Sequence, residues 1–220
     1  GARPRRPGTC HGLPVVAGAF MPEAVFTQEG YYREVFAPSG KALARVDKKN
    51  VLDHLRVNSR GACPDFDRGT LALRVIDPQE CVSADLAVFE IIIAVVKALA
   101  QGRWVSSYLQ RAWNEQDLLP LFQRTITDGL DAVLNDKDYL LMFGVLREEK
   151  LTTRRLWTHL LAEVRASLSE HALLHGNMIL KSGNLADRIL KHTGRKPAHE
   201  RIVLTYRELA KCLAEDRVLG

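Results

Sequence analysis

Cysteine is scarce in this 220-residue chain, and no motif is built on it. Cys10, Cys63, Cys81 and Cys212 are widely scattered, and no pair has the CxxC spacing of a zinc site. Free thiols in a reducing cytoplasm are the expectation. Long apolar runs are also missing. The longest, Leu86–Ala100, contains Glu90 and Lys97 and is too short for a bilayer, so it reads as a buried helix and no membrane contact is expected. Neither GxGxxG nor a Walker A loop occurs, which argues against Rossmann and P-loop enzymes. Ser59, Ser106 and Ser182 lack a nucleophile-elbow context, so a serine hydrolase is unsupported. His171 and His175 are four residues apart, but the intervening Ala-Leu-Leu lacks the Glu that a zinc hydrolase places beside its first His. No repeat of about 20–50 residues is visible.

Strong charge of one sign is absent as well. The net charge is +5, and Arg3, Arg5 and Arg6 account for three of these positives; without them it falls to +2. So balanced a body does not look like a nucleic-acid binder. Residues 1–20 read as an irregular basic arm and 21–220 as the folded part. Leu13–Phe20 is too short, and too interrupted by Pro14 and Gly18, for a signal peptide. The first Met is Met21, so the chain reads as a fragment, a processed chain or a trimmed one.

What is present is ordinary for a globular protein: 46% hydrophobic and 26% charged residues, at a length that suits one large domain or two small ones. Glu23–Phe36 predicts a short helix before Pro38. Leu55–Asn58 predicts a strand, followed by a Ser59–Arg68 loop. After Pro78 the sequence turns helical. Ser83 is a candidate cap for a helix running to Gln101, with Gly102 as its terminator. Further helices are predicted over Trp104–Trp113, Gln116–Asn135, Thr152–Leu168, Glu170–Leu180, Leu185–His192 and Glu200–Leu213, with a short apolar segment at Asp138–Phe143. A small sheet followed by many helices is an α+β pattern.

Residues 66–81 carry most information. Asp67-Arg68-Gly69 predicts a turn into a strand over 70–76, where apolar residues alternate. Leu71, Leu73 and Val75 share one face, expected to be buried; Thr70, Ala72, Arg74 and Ile76 share the other. A guanidinium on such a face suits phosphate or carboxylate, to which it donates two parallel hydrogen bonds. The alternative is a sheet-edge arginine paired with Asp77 or Glu80. Asn58, Arg60, Arg68, Arg74, Asp77, Gln79 and Glu80 together read as an anion-and-metal site or as a surface salt-bridge network.

Several stretches of the chain resemble one family. They are Pro22-Glu23-Ala24-Val25-Phe26, Asn58-Ser59-Arg60-Gly61-Ala62, Phe66-Asp67-Arg68-Gly69-Thr70 and Arg74-Val75-Ile76-Asp77-Pro78-Gln79-Glu80-Cys81. Ala84-Asp85-Leu86-Ala87, Leu185-Ala186-Asp187-Arg188-Ile189-Leu190 and Tyr206–Ala214 follow in the same order. They are similar to the glutamate–cysteine ligase type 2 family of carboxylate–amine ligases. The resemblance implies the C-terminal portion of such a domain. It implies part of a glutamine-synthetase-like antiparallel sheet followed by a mostly helical half. It also implies ATP, Mg2+ and small amino-acid substrates, a cytoplasmic place in glutathione biosynthesis, and a partner in the form of a missing N-terminal half or another copy. Arg74 carries over as the catalytic group, with Asn58, Arg60 and Arg68 binding substrate or phosphate; no metal ligand carries over. Phosphoryl transfer needs cations aimed at the equatorial oxygens, which fits arginines on a strand. Two departures stand out. Ala72 occupies the place of an expected metal-binding Glu, and the family's paired-Glu strand lies in a part that the chain lacks. The expected function is therefore an ATP-dependent ligase that forms an amide through an acyl phosphate. The alternative is a truncated or degenerate, non-catalytic relative acting as a binding module.

Overall fold

The computed structural model describes residues 14–53 and 57–220. The chain divides into two units at Pro78. Leu55 and Arg56 of the expected strand Leu55–Asn58, and Arg3, Arg5 and Arg6, lie outside the described residues; Val57 and Asn58 do not form a strand.

The amino-terminal unit extends to Asp77 and includes Trp113–Pro120. It starts with the helical turn α1 (Pro14–Ala17), inside the stretch expected to be irregular. Thr27 caps α2 (Gln28–Tyr31), its hydroxyl accepting from the Gly30 amide at 3.1 Å. A π-turn over Tyr32–Phe36 leads directly into α3 (Ala37–Val46). The helix thus continues through Pro38 instead of ending before it. Pro38 follows directly on the π-turn, whose wider backbone accommodates its ring and its missing N–H. Val35, Ser39 and Leu43 face inward from this rod.

Strand β1 (Ala62–Asp65) pairs antiparallel with β2 (Thr70–Leu73) in the register Ala62↔Leu73 to Asp65↔Thr70. The sequence reading places β1 inside the Ser59–Arg68 loop; in a two-stranded ribbon both strands are edges, and Pro64 fits. β2 is also shorter than the expected 70–76. The chain leaves it at Arg74, whose amide donates to the Gly61 carbonyl at 2.7 Å. The expected buried face is not buried: Leu71 and Val75 are exposed. Burial falls instead on β1, where Cys63 is enclosed.

The carboxy-terminal unit is helical. α4 (Val82–Ala100) buries Ala84, Ala87, Ile91, Ala94, Val95 and Ala98. Cys81, rather than Ser83, holds its N-cap position, and Ser83 bonds the Asp216 carboxylate. Gly102, at φ +67°, follows the helix as expected. α5 (Ser107–Arg111) and α6 (Glu115–Asp128) come next, the first residues of α6 belonging to the other unit. α6 stops seven residues before the expected Asn135, because Gly129 turns left-handed at φ +59°. A 3₁₀ turn (Gly129–Asp131) and β3 (Val133–Leu134) follow. After α7 (Lys137–Leu141), β4 (Leu151–Thr152) pairs antiparallel with β3. α8 (Thr153–Glu163), α9 (Glu170–Ser182), α10 (Leu185–Thr193) and α11 (His199–Ala214) complete the unit near their expected places. Ser169 caps α9, and Asn184 with Asp187 forms a capping box on α10.

Leu134, Leu140, Leu151, Leu156, Leu160 and Val164 form the centre of the larger core, and Ile91, Leu161 and Ala172 the smaller one. α4 and α9 approach closely at Gly176, where a Cβ would lie 2.9 Å from Ile91 Cδ1. The architecture is mostly helical with two small antiparallel ribbons, an α+β arrangement. Among the described residues no helix is long and apolar enough to cross a membrane. Cys63, Cys81 and Cys212 are buried free thiols.

Candidate functional site

In the amino-terminal unit, segment 58–61 is held on two sides. The Ser59 amide donates to the Ala17 carbonyl at 2.8 Å and the Gly61 amide to Phe20 at 2.7 Å, while Gly61 accepts from Arg74. This lattice brings together three of the four anticipated residues. Asn58 is buried. Its Oδ1 accepts from the Arg60 amide at 3.0 Å, its Nδ2 lies 3.1 Å from Cys63 Sγ, and its carbonyl accepts from Arg74 Nη1.

Arg60 is 3% exposed, and Glu23 grips it with two hydrogen bonds of 2.5 Å, from Nε and Nη2. Burial alone would push the Glu23 carboxyl up; the hydrogen bonds and charge of Arg60 outweigh this and hold it below the usual carboxylate range. Gly18 lies against the guanidinium, so close that a Cβ there would sit 2.2 Å from Arg60 Cζ. Arg60 is thus a buried strut between Glu23 and Asn58.

Arg74 is half-buried where the chain leaves β2, with a peptide carbonyl as one acceptor. Arg68 stands apart. It is 80% exposed in the β1–β2 turn and pairs with Asp65 at 3.3 Å. Glu80, one proposed partner of Arg74 in the salt-bridge alternative, lies in the other unit and pairs with Arg188.

Sequence reasoning missed Glu23, Gly18 and Tyr31 as parts of this site. Tyr31 is buried beside the Cys63 thiol; burial first, then Cys63, push its phenol up to about 12. The signal for Glu23 was in its own segment, Pro22–Phe26, but its partner is 37 residues away.

The residues present do not fit a magnesium site. Among the described residues no group of three or more His, Cys, Asp or Glu is placed to hold a metal ion. Ala72 offers only a methyl group. The His171 and His175 rings are 4.5 Å apart on α9, and burial, then His171, lowers the affinity of His175 for a proton. No family model matches this chain, and searches of curated proteins and solved structures find no match either.

Proposed function

We propose that the chain is the C-terminal part of an ATP-dependent carboxylate–amine ligase of the glutamate–cysteine ligase type 2 kind. One observation supports this reading: stretches that resemble the family, far apart in sequence, converge in space. Glu23 meets Arg60, and Asn58 meets Arg74. In this reading β1 and β2 are the last strands of a larger glutamine-synthetase-like sheet. Arg60, fixed by Glu23 and Asn58, sets the path of the chain, and Arg74 binds the phosphate or carboxylate. In this reading magnesium would be held by carboxylates of the missing N-terminal half. A second reading, a degenerate relative that binds but does not catalyse, is favoured by Ala72.

The test is phosphate release from ATP by the protein expressed from its full gene, with glutamate and an amine acceptor. Release that needs both co-substrates, and that falls about 10²–10³-fold in Arg74→Ala but not in Arg68→Ala, is the expected outcome. Absence of release across a broad panel of acids and amines, with Ala72→Glu equally inactive, supports the second reading instead.

A further inference from the structure

An aromatic cavity of about 580 Å³ opens on the amino-terminal unit, away from Arg74. Its apolar wall is three rings. Tyr32 and Phe36 come from the π-turn, and Phe66 from the turn after β1. Tyr32 and Phe66 stack at 5.8 Å with 25° between their planes, and Phe36 meets Tyr32 edge-on at 5.2 Å. Beneath them the buried Tyr31 ring makes edge contacts with Phe36 at 5.0 Å and Phe66 at 5.8 Å. The wall is therefore pre-formed, yet Tyr32 remains 45% exposed. A π-turn of this kind is rare in helices and is found disproportionately at functional sites.

The polar groups at the cavity select the sign of a ligand. Among the described residues Glu29, Asp65 and Asp67 line it, with Arg33 as a cation. Arg33 is tied to Glu34 at 2.8 Å, and Asp65 is occupied by Arg68. Among the described residues Glu29 and Asp67 form no ion pair. A ring face attracts a cation through its quadrupole, most strongly where the cation carries alkyl groups that shed water easily. Carboxylates at the rim add to that attraction and repel phosphate and carboxylate ligands.

We propose that this cavity binds a small organic cation, an alkylated ammonium, against Tyr32 with Glu29 and Asp67 at its rim. The site is independent of the ligase reading. Choline is the probe, titrated by calorimetry and by ligand-observed NMR, beside its uncharged isostere with carbon in place of the quaternary nitrogen. Choline is expected to bind at least about tenfold more tightly than the isostere. Tyr32→Ala should weaken choline about tenfold, Tyr32→Phe should keep it within about twofold, and Asp67→Asn should weaken it about threefold. Tyr32 is at the surface, so an unchanged thermal midpoint identifies a folded variant, and Tyr32→Phe serves as the conservative control. Equal binding of choline and isostere, undiminished binding by Tyr32→Ala, or no choline binding to the unaltered chain overturns the proposal.

Discussion

Among the described residues each unit has an arginine buried against a glutamate, and the two pairs are built differently. In the amino-terminal unit Arg60 is enclosed, but its partner Glu23 is 39% exposed. In the carboxy-terminal unit both partners are enclosed: Arg188 is 4% exposed and Glu80 not at all. Arg188 reaches Glu80 through both terminal nitrogens and also donates to the Leu219 carbonyl at 3.2 Å; Glu80 accepts the Leu219 amide at 3.1 Å. The first pair fixes a loop to its neighbour. The second ties the segment just before α4 to α10 and to Leu219. Water can replace a partner in the first and cannot in the second. The comparison therefore predicts that exposure of the carboxylate, not the number of hydrogen bonds, sets the cost of breaking each pair.

Removing Glu80 tests this most severely. Glu80→Ala leaves a buried guanidinium with no counter-charge, a change that costs about 3–5 kcal/mol. Glu23→Ala lets water reach Arg60 and should cost less, about 2–3 kcal/mol. Urea unfolding gives the totals, and hydrogen exchange reads the two units separately. Equal losses in the two variants would break the comparison.

Acid sharpens the same point. At Glu80 burial pushes the carboxyl up, but hydrogen bonds from Arg188 and from the Glu80 and Leu219 amides, with the Arg188 charge, outweigh it; Glu23 behaves alike through Arg60. Both carboxyls thus titrate lower when folded than unfolded. Their contribution is complete above the unfolded pKa of about 4.5 and is lost as pH falls through the depressed folded value. Stability between pH 7 and pH 3 should therefore decline in the unaltered chain, and more gently in Glu80→Ala. A parallel decline in both would detach Glu80 from the acid response.

Much of the helical half was legible because its punctuation is local. Gly102 adopts positive φ just past α4, where the sequence reading ends that helix. Gly129 was available in the sequence, yet the apolar spacing of Leu130, Val133 and Leu134 continues the helical period, and the turn overrode it. β1 was not legible: Ala-Cys-Pro-Asp has neither alternation nor branched residues, and only its pairing with β2 makes it a strand. At the candidate site, Asn58, Arg60 and Arg74 were grouped correctly because they flank one hairpin. Arg68 was grouped with them by proximity in sequence, but a turn residue points outward. The partners of the buried arginines stayed hidden, since an ion pair across 37 or 108 residues leaves no periodic trace.

Two glycines separate backbone strain from crowding. Gly18 and Gly69 have similar left-handed φ, +72° and +61°, but only Gly18 lies against another group. Gly69→Ala should cost about 1 kcal/mol, the ordinary price of a Cβ in that conformation. Gly18→Ala adds displacement of the clamped Arg60 guanidinium and should cost about 2 kcal/mol. Unfolding midpoints decide between them, and similar values would mean that Arg60 gives way freely and is not held by Glu23.

The smallest effect belongs to the most exposed arginine. Arg68 reaches the half-buried Asp65 from the solvent side, so its Coulomb gain is screened by water and offset by side-chain ordering. The Arg68 amide already donates to Asp65 Oδ1 at 3.2 Å, and this turn contact survives truncation of the side chain. Arg68→Ala should therefore change stability by less than about 0.5 kcal/mol, in high or low salt. A loss near that of Glu23→Ala would show that the β1–β2 turn depends on its guanidinium as the loop depends on Arg60, and the distinction between surface and buried pairs would no longer separate these two arginines.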